Sequence, residues 1–166
     1  MKLKNLCGIA VLLRLHCSQL KRGRLNMRVR LTTENDAISL ITIDIVAQSQ
    51  PKGAAQIRIW CAWSVCYIAE LQGIAMGYGV LNYHFFGYGF IEMLMVGEHY
   101  RRRGIGLALI AALKSRCQHP KLFTSTHRSN LPMQRLLLNA GFIPSGQVDN
   151  LDDGDPEAIF FIPALT

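Results

Sequence analysis

From Met27 onward the chain switches repeatedly between two periodicities, and the switches mark its elements. Residues 28–31 alternate charged and apolar side chains, the pattern of a short strand. Thr33 with Asp36 three positions later has the form of a capping box, which predicts a helix from there to about Gln48, with an isoleucine-rich interior. Pro51 suits a first helical turn, so a second short helix is expected to about Ala62, carrying Ile57 and Trp60 on one side. Residues 65–70 and 74–83 read as strands separated by Leu71, Gln72 and Gly73, and residues 90–96 as a third strand after the tip Gly87-Tyr88-Gly89. Residues 104–117 place apolar side chains at 105, 109, 110 and 113 and end in Lys114 and Arg116, cations that suit a helix C-terminus. A strand over 121–126, a helix over 130–140 closed by Gly141, and strands over 142–148 and 158–162 complete the pattern. The predicted class is therefore α+β, a mixed sheet with helices on its faces.

Composition narrows the setting. The chain has 166 residues, half of them hydrophobic and 17% charged, which fits one globular domain with a real core. Five cysteines without a C-x-x-C pair, and five histidines without i, i+4 pairing, suggest neither a disulfide framework nor a zinc site. No metal and a reducing, cytoplasmic location are expected. The formal charge of +7 is unevenly placed: Lys2, Lys4, Arg14, Lys21, Arg22 and Arg24 all precede Met27, where there is no acid. The other twelve cations face eleven acids, so nucleic acid is not the expected partner. Residues 1–26 imitate a signal peptide poorly, because Arg14 interrupts the apolar run and no small-x-small site follows. No transmembrane segment is read there. Two expectations stand: a dispensable basic extension before a domain over residues 27–166, or an amphipathic helix for an anionic surface.

The most informative stretch is Val96-Gly-Glu-His-Tyr-Arg-Arg-Arg-Gly-Ile-Gly106, a strand end running through a basic, glycine-containing turn into an amphipathic helix. Unpaired N–H groups at a helix start favour an anion such as phosphate, and the arginines add charge. The turn lacks the Lys-Ser/Thr of a Walker loop and the third glycine of a dinucleotide fingerprint. A solvated basic loop is the alternative.

Arg101, Gly104 and Gly106 match the Q/R-x-x-G-x-G/A motif of the GNAT superfamily of N-acetyltransferases, which this chain resembles. Asn130, Met133, Leu136, Gly141 and Phe142 match a second motif of that family in order and spacing. The resemblance covers nearly all of residues 27–166 and implies the acyl-CoA N-acyltransferase fold: a mostly antiparallel, splayed sheet of six to seven strands flanked by about four helices. It implies acetyl-CoA as cosubstrate, held by Leu94, Met95 and Val96 along pantetheine, with free backbone groups at Leu94 and Val96. Arg101, Arg102, Arg103, Gly104, Ile105 and Gly106 would take the pyrophosphate, with Asn130 also in the site. The strand around 94–96 would splay from the strand around 123–126 to make room.

Acetyl transfer to a primary amine needs a neutral amine and a proton for the leaving thiolate. Period 2 puts Glu92 on one face with Leu94 and Val96, and family members often carry their base there, so Glu92 is the candidate catalytic base. An exposed strand glutamate or ion pair is the other reading. The family's usual tyrosine acid falls at Leu137, and its frequent acid five residues before the asparagine falls at Ser125. Water, Tyr83 or Tyr88 would have to protonate the thiolate, and Ser125, Thr126 and His127 could orient substrate. The acids at 149, 152, 153, 155 and 157 could welcome a cationic acceptor or merely build a tight turn.

The leading expectation is direct attack by a small-molecule or peptide amine, without a covalent intermediate on Cys117. Two rivals are a non-catalytic CoA-binding sensor or scaffold, and a toxin-type acetyltransferase acting on aminoacyl-tRNA. Family members often pair through their sheets, so a homodimer is also an expectation. Mass spectrometry of the natural N-terminus checks the extension: peptides beginning at Met27 are expected, and one beginning earlier removes the idea of an upstream start.

Overall fold

Seven strands form one twisted sheet in the computed structural model, which describes residues 27–163; the extension expected over residues 1–26 lies outside the described residues. In chain order the elements are β1 (Arg28–Leu31), α1 (Ala37–Ile43), α2 (Ile45–Ser49), α3 (Pro51–Ala62), β2 (Cys66–Leu71), β3 (Ile74–Phe85) and β4 (Tyr88–Val96). Then follow α4 (Ile105–Arg116), β5 (Lys121–His127), α5 (Leu131–Asn139), β6 (Ile143–Val148) and β7 (Glu157–Pro163). The spatial order is β1-β2-β3-β4-β5-β7-β6, antiparallel except for the parallel pair β4–β5. The mostly antiparallel, splayed sheet expected from the sequence is therefore present. Among the described residues no helix is long and apolar enough to cross a membrane.

The helix expected from Thr33 to Gln48 is broken. A 3-10 turn over Glu34–Asp36 leads into α1, and Asp44 then leaves helical geometry at φ −102° and ψ 101°. Its carboxylate accepts the N–H groups of Val46 at 3.0 Å and Ala47 at 3.1 Å, capping α2, and the hydroxyl of Tyr78 at 2.7 Å. Three hydrogen bonds to one buried carboxylate outweigh the bonds a continuous helix would add. Burial, and then the neighbouring Asp44, pushes the Tyr78 phenol well above its usual range.

Helices α1–α3 cover one face of the sheet, where Leu40, Ile57 and Trp60 pack against Ile68, Tyr78 and Val80. Helices α4 and α5 cover the other, where Ile110, Leu113 and Leu137 pack against Leu81, Leu122 and Phe160. A third cluster sets Ile105 and Leu109 of α4 against Ala69 and Met76. The buried thiols of Cys61, Cys66 and Cys117 are free.

Arg30 fastens the first strand to both neighbours. Its guanidinium lies 2.8 Å from Asp36 and 2.8 Å from Glu70, while Asp36 also accepts the Thr33 N–H at 2.7 Å and hydroxyl at 2.9 Å. Arg30 holds the Asp36 carboxyl well below the usual carboxylate range. The stability this contributes is complete above the unfolded value of about 3.9. It is lost as pH falls toward the lower folded value. Asp36→Asn should cost about 2 kcal/mol at pH 7, and urea unfolding should show the gap to wild type narrowing by pH 3.

Candidate active site

Strands β4 and β5 are parallel neighbours for only three rungs. Gly89, Phe90 and Ile91 face Leu122, Phe123 and Thr124, after which the strands part, although β4 continues to Val96 and β5 to His127. Thr124 closes the fork: its buried hydroxyl donates to Ile91 O at 3.0 Å. The splay expected between residues 94–96 and 123–126 is thus observed, starting immediately after Ile91.

A cleft of about 790 Å³ lies alongside β4 beyond the fork. One wall is Leu94, Met95 and Val96 of β4; the other is Asn130, Met133 and Leu136 at the start of α5. Its mouth is the turn into α4, including Arg101, Arg102, Gly104, Ile105 and Gly106. The sequence-predicted cofactor residues therefore converge on one cavity, except that Arg103 is not part of its wall.

The turn has the form of an anion cradle. Gly104 takes φ +79°, a left-handed conformation that suits glycine, and Arg102 is also left-handed at φ +60°. Ala108 N–H closes on Gly104 O at 3.0 Å, leaving the amides of Ile105, Gly106 and Leu107 ahead of the first intrahelical bond. Gly106 serves a different end: a Cβ there would meet Leu136 Cδ2 at 2.9 Å, so its absence lets α4 and α5 approach across the cleft. Arg101 Nε donates to Val96 O at 3.1 Å, tying the turn to the strand end. The Val96 carbonyl, expected to be free, is already engaged. Asn130 caps α5, its Oδ1 accepting Met133 N–H at 3.2 Å.

Glu92 does not share a face with Leu94 and Val96, contrary to the period-2 expectation. Leu81 pairs with Ile91 and Val80 with Met93, so Glu92 is the extra residue of a β-bulge. Its carboxylate accepts a hydrogen bond from Asn82 Nδ2, on the α1–α3 face with Val80, whereas Leu94 and Val96 pack toward α4. Asn82 is itself buried, and its Oδ1 accepts His84 N–H at 3.2 Å. The sequence signalled neither the bulge nor Asn82. An exposed carboxylate thus stands at the fork, opposite the cleft wall.

The tyrosines considered as proton donors lie elsewhere. Tyr83 OH accepts Gln118 N–H at 2.9 Å beyond the far end of α4, and Tyr88 packs on His119 and Phe123. Tyr100, which the sequence reading missed, does line the cleft, at its Arg101 end. Leu137 is fully buried in the core, so that position carries no polar group. Ser125 is half-buried on β5. His127, at the end of β5, is half-exposed among Glu157 at 3.3 Å, Asp152 at 3.6 Å and Asp155 at 3.9 Å. Ser129 donates to Asp155 from its N–H at 2.9 Å and hydroxyl at 2.6 Å, which lowers that carboxyl's pKa. The acidic turn is therefore pinned to the β5–α5 loop. Among the described residues no group of three or more His, Cys, Asp or Glu side chains is arranged to hold a metal ion.

Comparison with known proteins agrees with this geometry. A family model described as Acetyltransferase (GNAT) family matches residues 36–142. A GNAT-family acetyltransferase from Bacillus cereus ATCC 10987 superposes with a TM-score of 0.79 at 31% identity, covering 84% of this chain and 99% of that one. A putative GNAT-family acetyltransferase from Desulfovibrio desulfuricans gives 0.71 at 18% identity over 84% and 99%. A putative acetyltransferase from Salmonella typhimurium, solved with its cofactor acetyl-CoA, gives 0.66 at 16% identity over 84% and 94%. Comparison with curated proteins gives no match.

Proposed function

Since the chain belongs to the GNAT family of acetyltransferases, we propose that it transfers the acetyl group of acetyl-CoA to a primary amine by direct attack at the β4–β5 fork. The observation that carries this reading is that the anion cradle and the stretch of β4 beyond the fork line one cleft, which suits a long thioester with phosphates at one end.

The residues fit that substrate. The amides ahead of α4 and the Arg102 guanidinium would receive the pyrophosphate, with Arg101 fixing the turn against Val96. The β5-facing edge of β4 past Ile91 has no strand partner, so its backbone groups, apart from the Val96 carbonyl that Arg101 holds, can pair with the pantetheine amides. Acetyl-CoA supplies an activated acyl group; the protein's part is to hold it, orient it and move protons. Glu92 would take one proton from the ammonium, probing the fork from the α1–α3 face while Asn82 fixes its carboxylate. The amine nitrogen then bonds to the acyl carbon as the carbon–sulfur bond breaks. A second nitrogen proton ends on the thiolate sulfur, carried by water, since neither Tyr83 nor Tyr88 lines the cleft and Leu137 has no proton to give. Water suffices because a simple thiol has a pKa of about 8.5.

Burial of Leu137 favours one other reading, a CoA-binding module without turnover. Calorimetry and initial rates separate the two. Gly104→Asp places a carboxylate in the cradle and should abolish acetyl-CoA binding that wild type shows. Glu92→Gln should bind acetyl-CoA like wild type and lose about 10²–10⁴-fold in kcat. Binding by wild type without turnover across a broad amine panel would instead establish the silent module.

A further inference from the structure

The helices cover the sheet unevenly. Among the described residues, the packed cluster on the α1–α3 face reaches β4 through Met93 and Met95 and stops there. On β5 and β7, Leu122, Phe160 and Ile162 point into the core beneath α4 and α5, so the intervening residues point to the bare side. Those residues are aromatic. Phe90, Phe123 and Phe161 occupy one continuous rung across β4, β5 and β7. Phe85 stacks on Phe90 with centroids 5.0 Å apart and an interplanar angle of 17°, and lies 5.2 Å from Phe123. Phe123 and Phe161 stack at 5.6 Å and 28°. None of the four rings belongs to a buried cluster, and all are partly exposed. A contiguous apolar surface of this kind marks a binding face.

Its position decides what it binds. The Phe90–Phe123 rung lies immediately below Ile91–Thr124, where the sheet opens. Glu92 is the next residue of β4, and its partner Asn82 stands opposite Phe90 in the ladder. Rings, fork and carboxylate therefore adjoin. Toward the end of β5 the same side carries the carboxylates of Glu157, Asp155 and Asp152 around His127, while Lys121, over Tyr88, lies at the opposite end of the row. The charge near the fork complements a cation. A second copy of the chain seated on the rings would cover the Glu92 side of the fork.

We propose that this aromatic row is the acceptor platform, and that the acceptor is a primary amine borne on an aromatic or other flat apolar body, with its ammonium directed at Glu92. The proposal rests on the acetyl-transfer reading above. The ring of the acceptor stacks on Phe123 and Phe161; its nitrogen gives a proton to Glu92, forms the bond to the acyl carbon as that carbon leaves sulfur, and gives the second proton through water to the thiolate.

Initial rates of thiol release at saturating acetyl-CoA test this with 2-phenylethylamine and tryptamine against ethanolamine and putrescine. The ring-bearing amines should have kcat/KM at least about tenfold higher. Phe123→Ala, with Phe123→Leu as the variant that better preserves packing, should raise KM for 2-phenylethylamine more than for ethanolamine and leave KM for acetyl-CoA unchanged. Equal or reversed amine preference overturns the proposal, as does a parallel rise in KM for acetyl-CoA. So does a wild-type dimer that Phe161→Ala dissociates without changing the amine KM, which would make the row an interface between copies. Acetyl-CoA binding and turnover by wild type, measured separately, distinguish the failures: turnover without amine discrimination defeats the platform alone, whereas no binding, or binding without turnover of any amine, defeats the acetyl-transfer reading and the platform with it.

Discussion

The structure depends on a parallel contact that stops early. Two strands that run side by side normally continue their ladder until one of them ends, because unpaired backbone groups inside a protein are costly. Here β4 and β5 part after Ile91 and Thr124, and the Thr124 hydroxyl marks the last rung by bonding to the Ile91 carbonyl. Below that point the two leaves of the sheet are clamped by a shared core, in which Ile110 and Leu113 of α4 meet Ile91, Leu122 and Phe160. Above it they are separate walls. The split creates a demand for hydrogen-bonding groups along the β4 edge, which a ligand with amides of its own can satisfy.

Much of this was legible from the sequence because it is local. The elements lie within a few residues of their predicted bounds, and the glycine turn needs only Gly104 with its left-handed φ and the start of α4 to be recognisable. Asn130 likewise announces its helix, being its cap. What the sequence concealed is what distant residues decide. The break at Asp44 follows from Tyr78, 34 positions away, and nothing in the isoleucine-rich run foretells it. Strict alternation puts Glu92 on the wrong face because it has no place for an extra residue; the bulge is visible only once β3 lies alongside. The aromatic row is equally non-local, assembled from β3, β4, β5 and β7.

The two halves of the sheet are stabilised differently. The β1–β4 half carries the Arg30 fork to Asp36 and Glu70 and the Asp44–Tyr78 bond, each spanning separate elements through charged or buried polar groups. The β5–β7 half rests mainly on hydrophobic burial against α4 and α5, with β6 exposed along its length. The family match runs from the first half into the second, beginning at Asp36 and ending at Phe142, just before β6. The candidate base and its amide partner belong to the first half, while the outer wall of the cleft belongs to the second.

The stretch of β4 from Glu92 to Val96 is also a yardstick. Five extended residues measure roughly 17 Å, and both ends are pinned, one by Thr124 on the preceding residue and the other by Arg101 on Val96. A donor anchored by its phosphates at the turn would therefore present its far end at a set depth. Under the proposed function an acyl chain longer than that depth allows would meet the closed rung at Ile91 and Thr124, so backbone geometry would gauge acyl length and leave side chains free to choose the other substrate.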